Sequence, residues 1–289
     1  MRVMIGWLCG CLVMACLTTA AAEEESPKGI EISGKAEIGV VRPLVHDIQI
    51  GEDGYRFDYV QEGGQELLLP FYRFEVDALF GGRHEVSFLY QPLTLKTATR
   101  VDNDGGILID DVNFADDTPL ELQYGFDFYR GTYRYRVVDR EDISFSIGGA
   151  LQIRNASIIF DGYREDEEGR IVDARAISQD LGPVPVISTA FRRELAGGRF
   201  VEATLDGFYA PVRFLNLRDV DVVGWLYDAA FRVGTPLYED SEVFLSLRFL
   251  GGGADGTAGT RTRWTQSRTT PRYTWNNLNL ASLSVGARL

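Results

Sequence analysis

Beyond residue 16 the chain has no cysteine: Cys9, Cys11 and Cys16 are the three among 289 residues. That excludes a disulfide framework, a thiolate metal centre and a cysteine nucleophile from everything that follows. The fold must then be held by extensive burial or by closed strand pairing. Histidine is also scarce, with only His46 and His84, so imidazole chemistry has two addresses. Positive charge is in deficit: 29 Lys and Arg against 42 Asp and Glu give a net charge of −13. An acidic chain repels a polyanion, which excludes nucleic acid as a partner. Long apolar runs are missing except at residues 3–17. That run is shorter than the ~20 residues a spanning helix needs. With Arg2 before it and Ala20, Ala21 and Ala22 after it, it reads as a secretory signal removed after Ala22. Lipoprotein processing at Cys16 is the alternative. EEESPKG, residues 23–29, reads as a linker, and no second linker interrupts residues 30–289.

Helical periodicity is scarce as well, and alternation of apolar and polar residues takes its place. In ISFSIGGALQI, Ile143, Phe145, Ile147, Leu151 and Ile153 oppose Ser144, Ser146, Ala150 and Gln152. Period two is the signature of a strand with two unlike faces. Ten such segments are expected, at about 30–41, 67–80, 83–98, 122–138, 143–160, 184–195, 199–211, 220–235, 241–252 and 274–289. The connections alternate between tight turns (Gly81-Gly82, Asp139–Asp142, Gly197-Gly198, Tyr238–Ser241) and mostly long loops (42–66, 96–121, 161–183, 253–273, with a shorter one near 212–219). Short turns at one end and long loops at the other describe an up-and-down transmembrane barrel. An even strand number puts both termini at the short-turn end. In lipid no backbone group can stay unpaired, so the sheet must close. YRGTYRYRV, residues 129–137, fits this: Tyr129, Tyr133 and Tyr135 would face lipid, and Arg130, Arg134 and Arg136 the lumen. A soluble β-sandwich or calyx with the faces reversed gives the same period.

The last residues, LASLSVGARL, carry Leu283, Val285, Ala287 and Leu289 on one side with Gly286 between. This resembles the terminal strand of bacterial outer-membrane β-barrel proteins, which usually ends in an aromatic residue rather than leucine. YRGTYRYRV and FLGGGADG are also similar to segments of Gram-negative barrels without an assigned activity. The resemblance implies a closed antiparallel barrel of about ten strands in the outer membrane, recognition by the barrel-assembly machinery, and contact with outer-membrane lipids and lipopolysaccharide. It implies no catalytic residues.

Strand parity assigns the lumen side chains: Glu31, Lys35, Glu37, Arg73, Glu75, Asp77, Glu85, Arg130, Arg134, Arg136, Gln152, Glu202, Asp206, Asp228, Arg232 and Arg248. Depth counted from the tight turns pairs Glu85 with Arg136, Glu202 with Arg232, and Asp228 with Arg248, with Asp206 beside them. Buried charges must be paired, so the lumen is expected either to be packed with ion pairs or to form a narrow conduit for a small solute. The candidate cluster is Arg130, Asp206, Asp228 and Arg248. Asp206 and Asp228 also read as two catalytic carboxylates, although Arg248 explains them as an ion cluster. An enzyme at the external rim, a lipid or peptide hydrolase, is the functional alternative. His46 beside Asp47, with Asp110-Asp111 as a second pair, resembles the pattern of outer-membrane proteases, and His84 should lie exposed at the opposite rim. VDNDGGILIDD matches part of a calcium loop, but Arg100 occupies the first ligand position. No metal and no cofactor is therefore expected. Arg261, Arg263, Arg268 and Arg272 in the final loop suit either the acidic loops, folded over the mouth, or lipopolysaccharide phosphates. GGGADG lacks the lysine of a nucleotide loop.

Overall fold

The computed structural model describes residues 29–211, 221–238, 241–258 and 272–289. The signal and linker readings, and Arg261, Arg263 and Arg268, fall outside these residues. The strands are β1 (Ile30–Ile50), β2 (Arg56–Asp58), β3 (Leu69–Phe80), β4 (His84–Gln91), β5 (Thr94–Arg100), β6 (Ile107–Ile109), β7 (Val112–Phe114), β8 (Pro119–Asp139), β9 (Ile143–Glu165), β10 (Ile171–Glu194), β11 (Phe200–Pro211), β12 (Asp221–Tyr238), β13 (Ser241–Ala258) and β14 (Arg272–Arg288). Ten of them, β1, β3, β4 and β8–β14, pair antiparallel in chain order, and β14 returns to β1. Gly34 and Leu289 seal the seam with reciprocal backbone hydrogen bonds of 2.8 and 3.0 Å. At the tight-turn end Gly81 and Gly82 both take positive φ (55° and 72°), a conformation in which a Cβ would be strained.

The register sets the strand tilt. Partners followed from Ile32 through Ala78, Val86, Tyr133, Gly149, Ile187, Gly207, Tyr227, Gly251 and Asn279 return to β1 at Val45. That is thirteen positions along, or twelve once the bulged residue between Pro43 and Val45 is set aside. A shear of twelve in ten strands tilts each strand by roughly 40°. A line of constant height therefore slips by about one residue per strand against the hydrogen-bond partner. Tyr72, Tyr90, Tyr129, Tyr209 and Tyr227 then share one height. Below them the outward face is apolar, with Ile38, Phe74, Phe88, Leu205, Phe231, Leu245 and Val285 all exposed. The belt is about nine residues tall, or about 23 Å once tilted, which fits the ~25 Å apolar band of a membrane barrel.

Above the tyrosine girdle the strands continue. β9 and β10 run 23 and 24 residues, well beyond the ~9–11 that cross a membrane. Two expectations are corrected here. Residues 161–183 are not a long loop: β9 and β10 stay paired from Glu165↔Ile171 to Ile143↔Arg193. The connecting turn is pinned by Asp166 Oδ1, which accepts from the backbone N–H of Glu168 and Arg170. Residues 42–66 also contain the end of β1 and all of β2, which pair at Asp47↔Asp58. The tall strands enclose an apolar core of Ile48, Phe57, Leu95, Ile109, Phe114, Leu120 and Phe160, each 2% exposed or less. The molecule is thus a membrane stem with an apolar-cored head standing outside it.

Candidate functional site

Inside the stem the inward residues are ionic, and the tilt brings residues from distant strands together. Arg130 on β8 reaches Asp206 on β11 through one guanidinium nitrogen, and the same nitrogen lies 3.0 Å from Asp228 on β12. Asp206 and Asp228 face each other directly in register, and Arg130 inserted between them offsets the like-charge repulsion. Arg248 Nη1 donates to Asp228 Oδ1 at 2.6 Å. Arg130 Nε and Nη2 donate to Gln152 Oε1 at 2.9 and 2.6 Å. The four cluster side chains are at most 9% exposed, so the structure brings all four sequence-derived residues into one buried group.

The expected pairs form: Glu85 with Arg136 at 3.0 Å, Glu202 with Arg232, and Asp228 with Arg248. Five members of the network, Asp139, Arg192, Glu194, Glu242 and Arg288, are absent from the expected set. Glu242 holds Arg192 at 2.5 Å and Arg288 at 2.8 Å, and Arg288 continues to Glu202 at 2.7 Å. Parity would have found Glu242, four residues before Ser246 and six before Arg248 on the same face. Glu37 is the hub of the network. It accepts from Arg232 Nη2 and Ser284 Oγ, both at 2.8 Å, with Arg248 and Arg73 at 3.7 and 3.8 Å.

Two residues beyond this layer, on the same face of β3, β8, β12, β13 and β14, the lumen turns apolar, while β4 and β9 place Gln91 and Gln152 there. Arg73 is followed upward by Phe71, Arg130 by Phe128, Asp228 by Leu226, Arg248 by Leu250, and Ser282 by Leu280. These five apolar side chains and Val41 are buried, and by the shear they lie at nearly one height, beside the tyrosine girdle. A cavity of about 680 Å³ occupies the lumen beneath. Its lining runs from Glu31 and Leu289 at the terminal rim up to Arg73, Arg130 and Asp206. Asp228, Arg248 and the apolar layer are not part of that lining. The ionic lumen therefore opens at the short-turn end and is capped toward the head.

The external-rim site takes a different form from the sequence expectation. β1 runs through His46 without ending there, so His46 points into the head and Asp47 points away from it. His46 is 1% exposed, stacks on Tyr59 (centroids 4.0 Å apart, planes at 11°) and meets Tyr124 edge-on at 4.4 Å. Its Nδ1 bonds Gln65 Oε1 at 2.7 Å, and Asp47 instead lies 3.5 Å from Arg56. No His46–Asp47 pair exists. His84 sits exposed at the short-turn rim, as expected, with its Nδ1 2.9 Å from the Tyr133 hydroxyl. Among the described residues no three metal-ligating side chains converge, including those of the calcium-like segment, where Ile107–Ile109 and Val112–Phe114 pair as a hairpin.

His46 lies about six residues above the girdle, clear of the membrane belt, and burial among the aromatic rings pushes its imidazole down to about 4, against weaker upward pulls from Gln65 and Asp58. The unfolded head binds a proton near 6.5, and the folded head does not until about 4. Head stability is therefore full above pH 6.5 and falls as pH drops toward 4, by on the order of 3 kcal/mol. Deuterium uptake over residues 55–65, corrected for intrinsic rate, should rise across that window, and His46→Gln should flatten the rise. An unchanged pH profile in His46→Gln would refute the assignment.

No family model matches the chain, and no curated protein sequence does. Among solved structures the chain is similar to the outer membrane protease OmpT of Escherichia coli, with a TM-score of 0.50 and 9% identity over 92% of this chain and 99% of that one. The toluene transporter TodX of Pseudomonas putida matches at a TM-score of 0.34 and 9% identity, over 91% and 90%. Ail of Yersinia pestis matches at 0.31 and 9%, over 90% and 99%. At these identities the likeness concerns the fold alone. The belt, the girdle and the closed seam supply the membrane location independently, and the chain has the fold of the bacterial outer-membrane β-barrel proteins.

Proposed function

We propose that this barrel is non-enzymatic and does not conduct: an envelope protein whose ion-filled stem anchors an acidic, apolar-cored head at the cell surface. The observation that carries this reading is the change on single strand faces from paired charge to buried hydrocarbon, Arg130 to Phe128 and Asp228 to Leu226. Ions entering from the periplasm would meet salt bridges and then a largely apolar layer, in which Gln91 and Gln152 have their side-chain oxygens already engaged by Arg73 and Arg130. A conduit for a small solute would need that layer displaced. A rim hydrolase of lipid or peptide would draw on His46, which is enclosed by Tyr59, Tyr124 and Gln65. Purified barrel in planar bilayers should give no sustained conductance steps, with protein insertion verified by heat-modifiable mobility. Stable ohmic steps, abolished by Asp228→Ala, would overturn the reading in favour of a conduit.

A further inference from the structure

We infer that the wall between β1, β3 and β5 carries a binding site for a phosphate-bearing lipid of the outer leaflet. Just above the tyrosine girdle, where β8, β9 and β14 turn Asp127, Asn155 and Asn279 outward, this sector stays apolar. Leu44, Val45, Leu67 and Leu68 are 38–67% exposed. The register explains why the sector differs. β3 begins only at Leu69, opposite Val41, and β5 pairs with β8 alone. The wall between β1 and β5 is therefore closed at this height by chain without regular pairing, and that chain turns leucines outward.

Two cations flank the patch. Arg42 is exposed on β1 between Val40 and Leu44. Lys96 is exposed on β5, opposite Gln123. Neither has an acidic partner among the described residues, although the head around them is acidic. Arg56, Arg100, Arg170 and Arg175 each hold an aspartate. Unpaired cations at the level where lipid headgroups lie, beside apolar side chains that need hydrocarbon against them, are complementary to an amphiphile with phosphate above and acyl chains below. The arginine fork and the lysine point charge are both suited to phosphate oxygens, and each such cation strengthens attraction to an anionic membrane surface severalfold.

The test uses the full barrel in phosphatidylcholine nanodiscs containing lipid A as the probe, with retained lipid counted by native mass spectrometry after transfer to mild detergent. Arg42→Gln with Lys96→Gln should lower lipid A retention about tenfold, and Leu67→Ser with Leu68→Ser should lower it too. Both pairs are surface changes, and heat-modifiable mobility verifies folding. Arg164→Gln, which removes an exposed arginine far above the girdle, should leave retention unchanged. Equal retention in the charge variant would overturn the proposal. So would an equal loss in Arg164→Gln, which would mean diffuse attraction, or full displacement by millimolar inorganic phosphate, which would mean a site for a free anion.

Discussion

Arg130→Met should destabilise the barrel by about 3–5 kcal/mol, the usual cost of removing one partner from a buried ion pair. The methionine fills much of the volume but leaves Asp206 and Asp228 facing each other in register beneath an apolar cap. Arg248 still holds Asp228 at 2.6 Å, so the greater part of the cost falls on Asp206, whose Oδ1 already lacks a partner. Gln152 loses both of its donors as well. Urea unfolding from lipid vesicles, followed by tryptophan fluorescence, measures the change. Adding Asp206→Asn should recover most of it, because the second substitution removes the stranded charge. A change within ~0.5 kcal/mol of the parent, or no recovery in the double variant, would mean that the lumen network is not what holds the stem.

That network shows how far the sequence could be read. Facing was legible, since an alternating strand admits only two assignments and the arginines of YRGTYRYRV had to take one of them. Pairs along the wall, such as Glu85 with Arg136, were legible because depth can be counted from a tight turn. The bridge from Arg130 on β8 to Asp206 on β11 runs across the lumen instead. It depends on the barrel's width and on its shear of twelve, which follow from the register of all ten strands together. The cap was written in the sequence as Phe128 before Arg130 and Leu250 after Arg248, yet period two only says that they share a face, not that their neighbours on other strands reach the same height.

The head was misread for a different reason. Strands that stand in water need a polar outer face, and REDEEGR with its acidic flanks hid the continuation of β9 beyond Phe160 and the inward Ala176 of β10 behind loop-like composition. The same mixture of Gly and acidic residues around 51–66 concealed Phe57 and Tyr59 and left His46 looking like a rim residue beside Asp47. Its burial against two tyrosine rings moves it from catalytic candidate to structural element. Head and stem thus invert one another: hydrocarbon inside and charge outside above the girdle, ion pairs inside and hydrocarbon outside below it.

That inversion implies opposite tolerance to a surface charge at the two levels. Leu245→Arg, on the outward face of β13 near the middle of the belt, should cost about 2–4 kcal/mol of folding into vesicles, the range for a lipid-facing arginine at the bilayer midplane. Leu245 is 53% exposed, a position where a water-soluble calyx would accept arginine freely. Its cross-strand neighbours Val233 and Val285 offer no acid to pair with, so the guanidinium would have to reach for the interface past Leu247 or Val243. Leu108→Arg makes the same chemical change on the head, at 37% exposure, and should stay within ~0.5 kcal/mol. The contrast between the two substitutions, rather than either value alone, carries the test. Urea titration of both variants in the same vesicles measures it, and equal small effects would mean that the outward apolar face of the stem does not meet lipid.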